Sequence, residues 1–454
     1  MRTLRSLASV VAAAVAVAFL ARADVSAPAK AGARPANVLV ILTDDQRADG
    51  WQHVMRSTVK WFGERGTHFP NAFATTPLCC PSRASIFTGQ YAHNHLIHNS
   101  LGDAPLPHDR TVQAFLSQAG YHTAILGKYL NGWPAADAPP YFERWAITPK
   151  VTFDTEARWG IDGQLVQTDE YSTTLIARTA SSLLDEWEAD DATPWFLHVS
   201  VMAPHPPATP EPRYAEVGTG RFVRTPGMDE IDRSDKPPYI QAQPLRRSRF
   251  IQTHRVPQLR SLHSVDDMVE ALFQQLGALG ERGDTLVVFA SDNGYMWGEH
   301  GEMAKSDPYL ESVKVPLYLY WPRRIGIGAS DDRLVGLLDL APTILDAAGI
   351  ESVDMDGRSL LRTDWSREQL LLEYWQGANH PTPTWAGIQG LASQYVEYYG
   401  EANEVTFREY YDLANDPAQL ENLLGDIDAD NDPDVGALSA RLEELKSCVA
   451  AGCP

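Results

Sequence analysis

Four apolar runs constrain this chain before any other feature: Pro35 to Thr43 (PANVLVILT), Tyr121 to Leu126, Pro194 to Met202 (PWFLHVSVM) and Thr285 to Ala290 (TLVVFA). Each is short, rich in β-branched or aromatic residues, and lacks the polar alternation of a half-exposed strand. A strand of that kind has to be covered on both faces. One-sided helical segments stand between the runs. Thr111 to Gly120 lines up Val112, Phe115, Leu116 and Ala119 and ends in a glycine suited to a C-terminal cap. Tyr171 to Glu188 turns Leu175, Ile176, Leu183, Leu184 and Trp187 inward. Val265 to Leu279, with Ser264 as its cap, does the same with Met268, Val269, Leu272 and Leu276. This alternation predicts an α/β fold, a mostly parallel sheet sandwiched by helices, with Val315 to Pro322 as a further strand. From about Leu370 short aromatic strands and a last helix, Val435 to Cys448, predict a smaller antiparallel α+β C-terminal domain. The predicted boundaries are 34-362 and 363-454.

The strand ends carry the chemistry. In open α/β sheets, ligands gather at the carboxyl ends of the strands. The first run ends in Asp44-Asp45-Gln46 and the last in Ser291-Asp292-Asn293-Gly294, which together offer an all-oxygen cage for a hard cation. Asp-Asp alone reads more readily as a solvated acidic turn. Lys128 follows the second run, where it can meet a bound anion as a point charge or stand free on the surface. His205, between Pro204 and Pro206, follows the third, a position suited to protonating a leaving group.

Between these strands lies Leu78-Cys79-Cys80-Pro81-Ser82-Arg83-Ala84-Ser85-Ile86-Phe87-Thr88-Gly89, a helix start with a thiol just ahead of it. Pro81 suits the first turn, and the helix dipole favours an anion beside Cys79 and Cys80. Arg83 adds a fork for oxyanion oxygens. A buried cysteine pair at a helix start is the plain alternative.

Cys79-Cys80-Pro81-Ser82-Arg83, followed by Thr88-Gly89, resembles the Cys-x-Pro-Ser-Arg signature of type I sulfatases. The resemblance extends to Asp44-Asp45, Gly127-Lys128-Tyr129-Leu130-Asn131, Ala203-Pro204-His205, Asp292-Asn293, Leu337 to Gly349, Asp356 to Leu360 and Tyr411 to Pro417, in the family's order. It implies an alkaline-phosphatase-like fold and hydrolysis of sulfate esters. It implies that Cys79 is oxidised to formylglycine by a formylglycine-generating enzyme. A divalent cation, calcium or else magnesium, would be bound by Asp44, Asp45, Cys79, Asp292 and Asn293. The same resemblance gives Arg83, Lys128, His205 and Lys305 active-site roles, with His300 a further candidate. One departure points to a branch: arylsulfatase-type members have histidine where this chain has Leu130, whereas N-acetylglucosamine-6-sulfatase-like members share Gly-Lys-Tyr-Leu. The expected substrate is therefore a sulfated carbohydrate. Phosphonate monoester or phosphodiester hydrolysis on the same scaffold is one alternative, and sulfoglycan binding without turnover is another.

Composition sets the outer limits. With 454 residues, 44% of them hydrophobic, there is material for a large core. A formal charge of -21 argues against nucleic acid as partner and leaves anion binding to local basic sites. One such site is the stretch Pro244 to Arg260, with five arginines and no acid, inside Pro207 to Leu262, which reads as a long irregular loop. Arg2 and Arg5, the apolar run Leu7 to Leu20 and Ala21-Arg22-Ala23 read as a signal peptide, residues 1-23. Its removal would leave no membrane attachment and a secreted or periplasmic protein. Cys448 and Cys453 could close a short loop in that oxidising space.

Overall fold

The computed structural model describes residues 35–100, 106–148, 157–190, 192–352, 354–377, 380–426 and 428–454. The predicted signal peptide lies outside them. Strand β1 (Asn37–Asp44) is followed by helix α1 (Cys79–Thr88), helix α2 (Val112–Gln118) and strand β2 (His122–Gly127). Helix α3 (Ser172–Glu188) leads to β3 (Trp195–Pro204), and α4 (Ser248–Leu279) leads to β4 (Thr285–Ser291) and β5 (Leu317–Tyr320).

These strands form the middle of a ten-stranded sheet in the order β5, β4, β1, β3, β2. Its four inner strands are parallel, with Leu39 beside both Leu197 and Val287, and β5 runs antiparallel to β4. Alternate residues of β1 serve opposite cores. Leu39 and Ile41 pack with Leu184 of α3 and Val269 of α4, while Val38, Val40 and Leu42 pack with Ile86 of α1 and Leu116 of α2. All eight β1 residues are buried, as a strand covered on both faces requires. Parallel pairing leaves Asp44, Gly127, Pro204 and Ser291 at one edge of the sheet.

The expected α/β, alkaline-phosphatase-like architecture with an added antiparallel sheet is what the chain adopts. The second sheet joins β6 (Leu370–Tyr374), β7 (Thr384–Gln389), β8 (Ser393–Tyr399) and β9 (Val405–Asp412) in sequence order, all antiparallel. Helix α5 (Val435–Lys446) packs on it through Leu442 and Leu445. Cys448 and Cys453 are disulfide-bonded. No helix among the described residues is long and apolar enough to cross a membrane.

One expectation is overturned. Pro207 to Leu262 is not irregular throughout, and Ser264 caps no helix. Helix α4 begins at Ser248 and runs 32 residues through Pro257. Proline removes one helix hydrogen bond and normally kinks or ends a helix. Here Ile251, Arg255, Gln258 and Leu259 are buried on either side of it, and Gln258 accepts a 2.5 Å bond from Trp297 Nε1. Tertiary packing carries the helix across its weakest residue.

Candidate active site

Helix α1 starts directly at Cys79, behind Leu78 in an extended conformation, and all ten of its residues are buried. Gly89 closes it at φ 68°, donating its N–H to Ser85 O. A helix buried all round belongs to the core, so its first residue is held rigidly at the sheet edge. Asp44, Asp45, Cys79 and His205 offer ligand atoms that all lie within 4.8 Å of one another.

Each group has named partners. Cys79 Sγ lies 3.5 Å from Asp44 Oδ1 and 2.7 Å from Lys305 Nζ. Lys128 Nζ donates to Asp44 and Lys305 Nζ to Asp45, both through short contacts. Lys305 also reaches Asn293 Oδ1 at 3.3 Å. Asp45, at φ 66°, turns its N–H to Asp292 Oδ1 at 3.2 Å, and its carboxylate accepts from Asn293 Nδ2 at 2.7 Å. The two strand ends predicted from sequence are thus one cluster. His205 sets Nε2 3.7 Å from Asp45 Oδ2, while Nδ1 lies 2.6 Å from Pro206 O. It is the most exposed of these groups, with 27% of its side chain accessible.

Arg83 sits beneath the cluster, fully buried. Nε bonds Asp292 Oδ2 at 2.8 Å, and one terminal nitrogen bonds Lys128 O at 2.8 Å and Ser200 Oγ at 2.5 Å. The other terminal nitrogen has no hydrogen bond and lies 3.8 Å from Asp44 Oδ2. Ser82 Oγ donates to Asp292 O. Sequence reasoning named neither Ser82 nor Ser200 for this role. Ser82 lies inside the quoted motif, but Ser200 carries no signal beyond its place near a strand end.

His300 is not brought to this cluster. Its Nδ1 pairs with Glu230 Oε2 at 2.7 Å and its ring stacks on Tyr309 at 4.1 Å between centroids. It helps hold the turn that leads to Lys305.

Three carboxylates (Asp44, Asp45, Asp292) face three cations (Arg83, Lys128, Lys305) in a buried space. Burial works to raise the Asp44 pKa, but Lys128, His205, Arg83 and Lys305 together hold it well below the usual carboxylate range. Burial and Asp44 push Asp292 the other way, upward. Burial tends to discharge Lys305, yet Asp45 and Cys79 hold its pKa well above the ordinary lysine value. Burial and then Asp44 push the Cys79 thiol up to about 12. An unmodified Cys79 is therefore a poor thiolate nucleophile at neutral pH. The buried oxygen set of Asp44, Asp45, Asp292 and Asn293 fits a hard divalent cation.

Comparison with known proteins agrees with this geometry. The family model described as Sulfatase matches residues 36–350, and that for the N-sulphoglucosamine sulphohydrolase C-terminal region matches residues 298–447. Human N-acetylglucosamine-6-sulfatase is 31% identical over 484 aligned residues, covering 93% of this chain and 86% of that protein. The extracellular sulfatase SULF-1 homolog of Drosophila melanogaster is 32% identical over 75% of this chain, which spans about a third (32%) of that longer protein. Among solved structures, a protein in complex with its substrate D-glucosamine-2-N,6-O-disulfate has TM-score 0.80 at 22% identity, covering 91% of this chain and 97% of that one. A phosphonate monoester hydrolase of Agrobacterium radiobacter has TM-score 0.70 at 22% identity, covering 91% and 95%. Fold and site together define an alkaline-phosphatase-like α/β hydrolase with its cluster of paired charges at the sheet's carboxyl edge. The chain belongs to the sulfatase family, and it is a sulfuric ester hydrolase.

Proposed function

We propose that this sulfatase hydrolyses sulfate esters of a sulfated carbohydrate, using formylglycine made from Cys79 and a divalent cation, calcium or else magnesium. The observation that carries the reading is the meeting of Cys79 with Asp44 and Lys305 at the start of a buried helix. The cation, held by Asp44, Asp45, Asp292 and Asn293, would supply charge that offsets the sulfate oxygens. Formylglycine, as its hydrate, would supply one hydroxyl for attack on sulfur and a second to release sulfate.

The chain's own side chains do the rest. Lys128 and Lys305, kept charged by Asp44 and Asp45, bind and orient the sulfate oxygens as charge grows on them. Arg83 fixes Asp292 and the Lys128 backbone rather than touching substrate. His205 Nε2, at the open side of the cluster, hands a proton to the leaving alcohol oxygen. Relatives that are sulfatases of N-acetylglucosamine 6-sulfate support a glycan as substrate, and those described as extracellular support export.

The test is peptide mass spectrometry across Cys79 on protein from its native host, with sulfate release from N-acetylglucosamine 6-sulfate measured before and after chelation. An aldehyde at position 79 and chelator-sensitive release are expected. An intact thiol in active protein would overturn the reading. The likeness to the phosphonate monoester hydrolase favours a second reading, so matched sulfate and phosphonate esters are compared; faster phosphonate turnover would put that reading first.

A further inference from the structure

The arginine-rich stretch predicted as a loop has a definite shape and place. Arg247 caps α4, and Arg249 lies in its first turn. Residues 221–224 run beside them: Arg224 bonds Arg246 O at 3.0 Å, and Phe222 lies 5.5 Å from the Arg255 guanidinium. Arg246 Nε bonds Gly301 O at 2.9 Å and Arg233 bonds His300 O at 2.7 Å. These bonds tie the basic segment to the turn that carries Lys305.

Its charges are of two kinds. Arg224 is answered by Asp229 at 2.5 Å, and Arg246 is spent on Gly301 O, Gln243 Oε1 and the Phe250 ring. Arg221, Arg247 and Arg249 are exposed, and among the described residues none of the three side chains forms an ion pair or hydrogen bond. Exposed apolar side chains stand among them: Val223 at 67%, Leu245 at 38% and Phe250 at 43%. Three unanswered cations, two at the start of α4 and one on the segment that borders it, are out of keeping with a chain of net charge -21. Such a patch concentrates anions against the protein's overall field.

The length of α4 gives a scale for the separation. Further along α4, Gln258 and Leu259 line a small cavity together with Asp45 and Pro204. Nine residues separate Arg249 from Gln258, about 14 Å of helix rise. A single sugar held in the pocket cannot reach that far, whereas further residues of a chain can.

We propose that Arg221, Arg247 and Arg249 form a secondary binding surface for a polysulfated oligosaccharide whose terminal sulfate ester occupies the pocket. Anionic groups remote from the scissile ester pair with the arginines, and Phe250 and Val223 meet the C–H faces of the sugar rings. The surface lowers KM for long, highly sulfated substrates and leaves the chemical step unchanged. This rests on the reading of the pocket as a sulfated-carbohydrate site.

The test uses the full chain and the triple variant R221Q/R247Q/R249Q, with R249Q alone if the triple variant loses its wild-type Tm. Two substrates are compared, N-acetylglucosamine 6-sulfate and a polysulfated hexasaccharide, together with direct hexasaccharide binding by calorimetry. KM for the hexasaccharide should rise about tenfold in the triple variant, as expected for three exposed pairs. KM for the monosaccharide and both kcat values should stay within twofold. Salt at about 0.5 M should erase the difference between wild type and variant on the hexasaccharide. Equal changes on both substrates, or none, would overturn the surface. So would an equal loss of binding to a DNA oligonucleotide of matched charge. Failure of wild type to turn over either substrate would overturn the pocket reading instead, and calorimetry on the hexasaccharide still tests the surface.

Discussion

At the residue scale, Arg83 separates two functions that one motif merges. Sequence placed it near an anion, and its position at a helix start made that reading sound. The structure spends its fork on Asp292, Ser200 and the Lys128 backbone, partners on three other segments that no local pattern reveals. Arg83→Ala removes the only protein ion-pair partner of Asp292 among the described residues, a loss of about 3–5 kcal/mol for a broken buried pair in the metal-free protein. A fall in Tm of several degrees together with loss of sulfate release is expected, measured by calorimetry and turnover. His205 differs, being partly exposed, bonded within its own turn and otherwise facing Asp45 Oδ2 at 3.7 Å. His205→Ala should keep Tm and cost about 10²–10⁴ in kcat on a glycan sulfate, where an alkoxide must be protonated. The loss should shrink sharply on 4-nitrophenyl sulfate, whose leaving group needs no proton. The legible residues, Asp44, Asp45, Lys128, His205 and Asp292, share one cause: each ends a strand whose apolar run is visible in sequence.

At the scale of elements, the inner strands were readable as unbroken apolar runs and the helices α2 and α3 by their one dominant period. Helix α4 was not, since Pro257 and the surrounding arginines give its first half no such period, and only contact with Trp297 shows what holds it. The turn carrying Lys305 shows the same dependence on distant partners. Ala304 and Ser306, on either side of Lys305, have φ of 83° and 89°, a region costly for residues with a Cβ. Strand β7 pins the turn: Trp385 Nε1 bonds Ser306 O at 2.8 Å, and just before it Thr382 bonds Asp307 Oδ1 at 3.1 Å. Trp385→Phe keeps most of the packing and removes the donor. It should raise KM for sulfate esters about three- to tenfold, matching a hydrogen bond of about 1 kcal/mol, with a comparable loss of inhibition by free sulfate. Unchanged sulfate inhibition would show that the turn holds itself.

At the scale of the molecule, the C-terminal segment closes onto the helical turn that follows the cysteine motif. His93 places Nδ1 3.0 Å from Glu373 Oε2 on β6, and its Nε2 and the Asn94 amide both reach Cys448 O. Burial alone would lower the His93 pKa, but the Glu373 hydrogen bond and charge outweigh it and leave it raised. A raised pKa means stability fully present below the unfolded value of about 6.5 and lost as pH rises through the folded one. His93→Gln should therefore lower Tm more at about pH 6 than at about pH 8.5, and the reverse order would contradict the pairing. Reduction of the Cys448–Cys453 bond, five residues apart, frees a short loop and should cost about 2 kcal/mol, seen as a lower urea midpoint. The envelopment of α1 has a further consequence, one of timing. Cys79 is 2% exposed within a helix that has no solvent-facing residue, while its neighbours in the pocket lie up to 226 positions away along the chain. The cluster therefore does not exist until about two-thirds of the chain, through Lys305, has been made and folded, and once it exists the Cys79 side chain is almost wholly buried. Iodoacetamide should label Cys79 in nascent or urea-unfolded chains and spare it in the native protein. If Cys79 is oxidised as proposed, the unfolded segment is the form in which its sulfur is open to reaction.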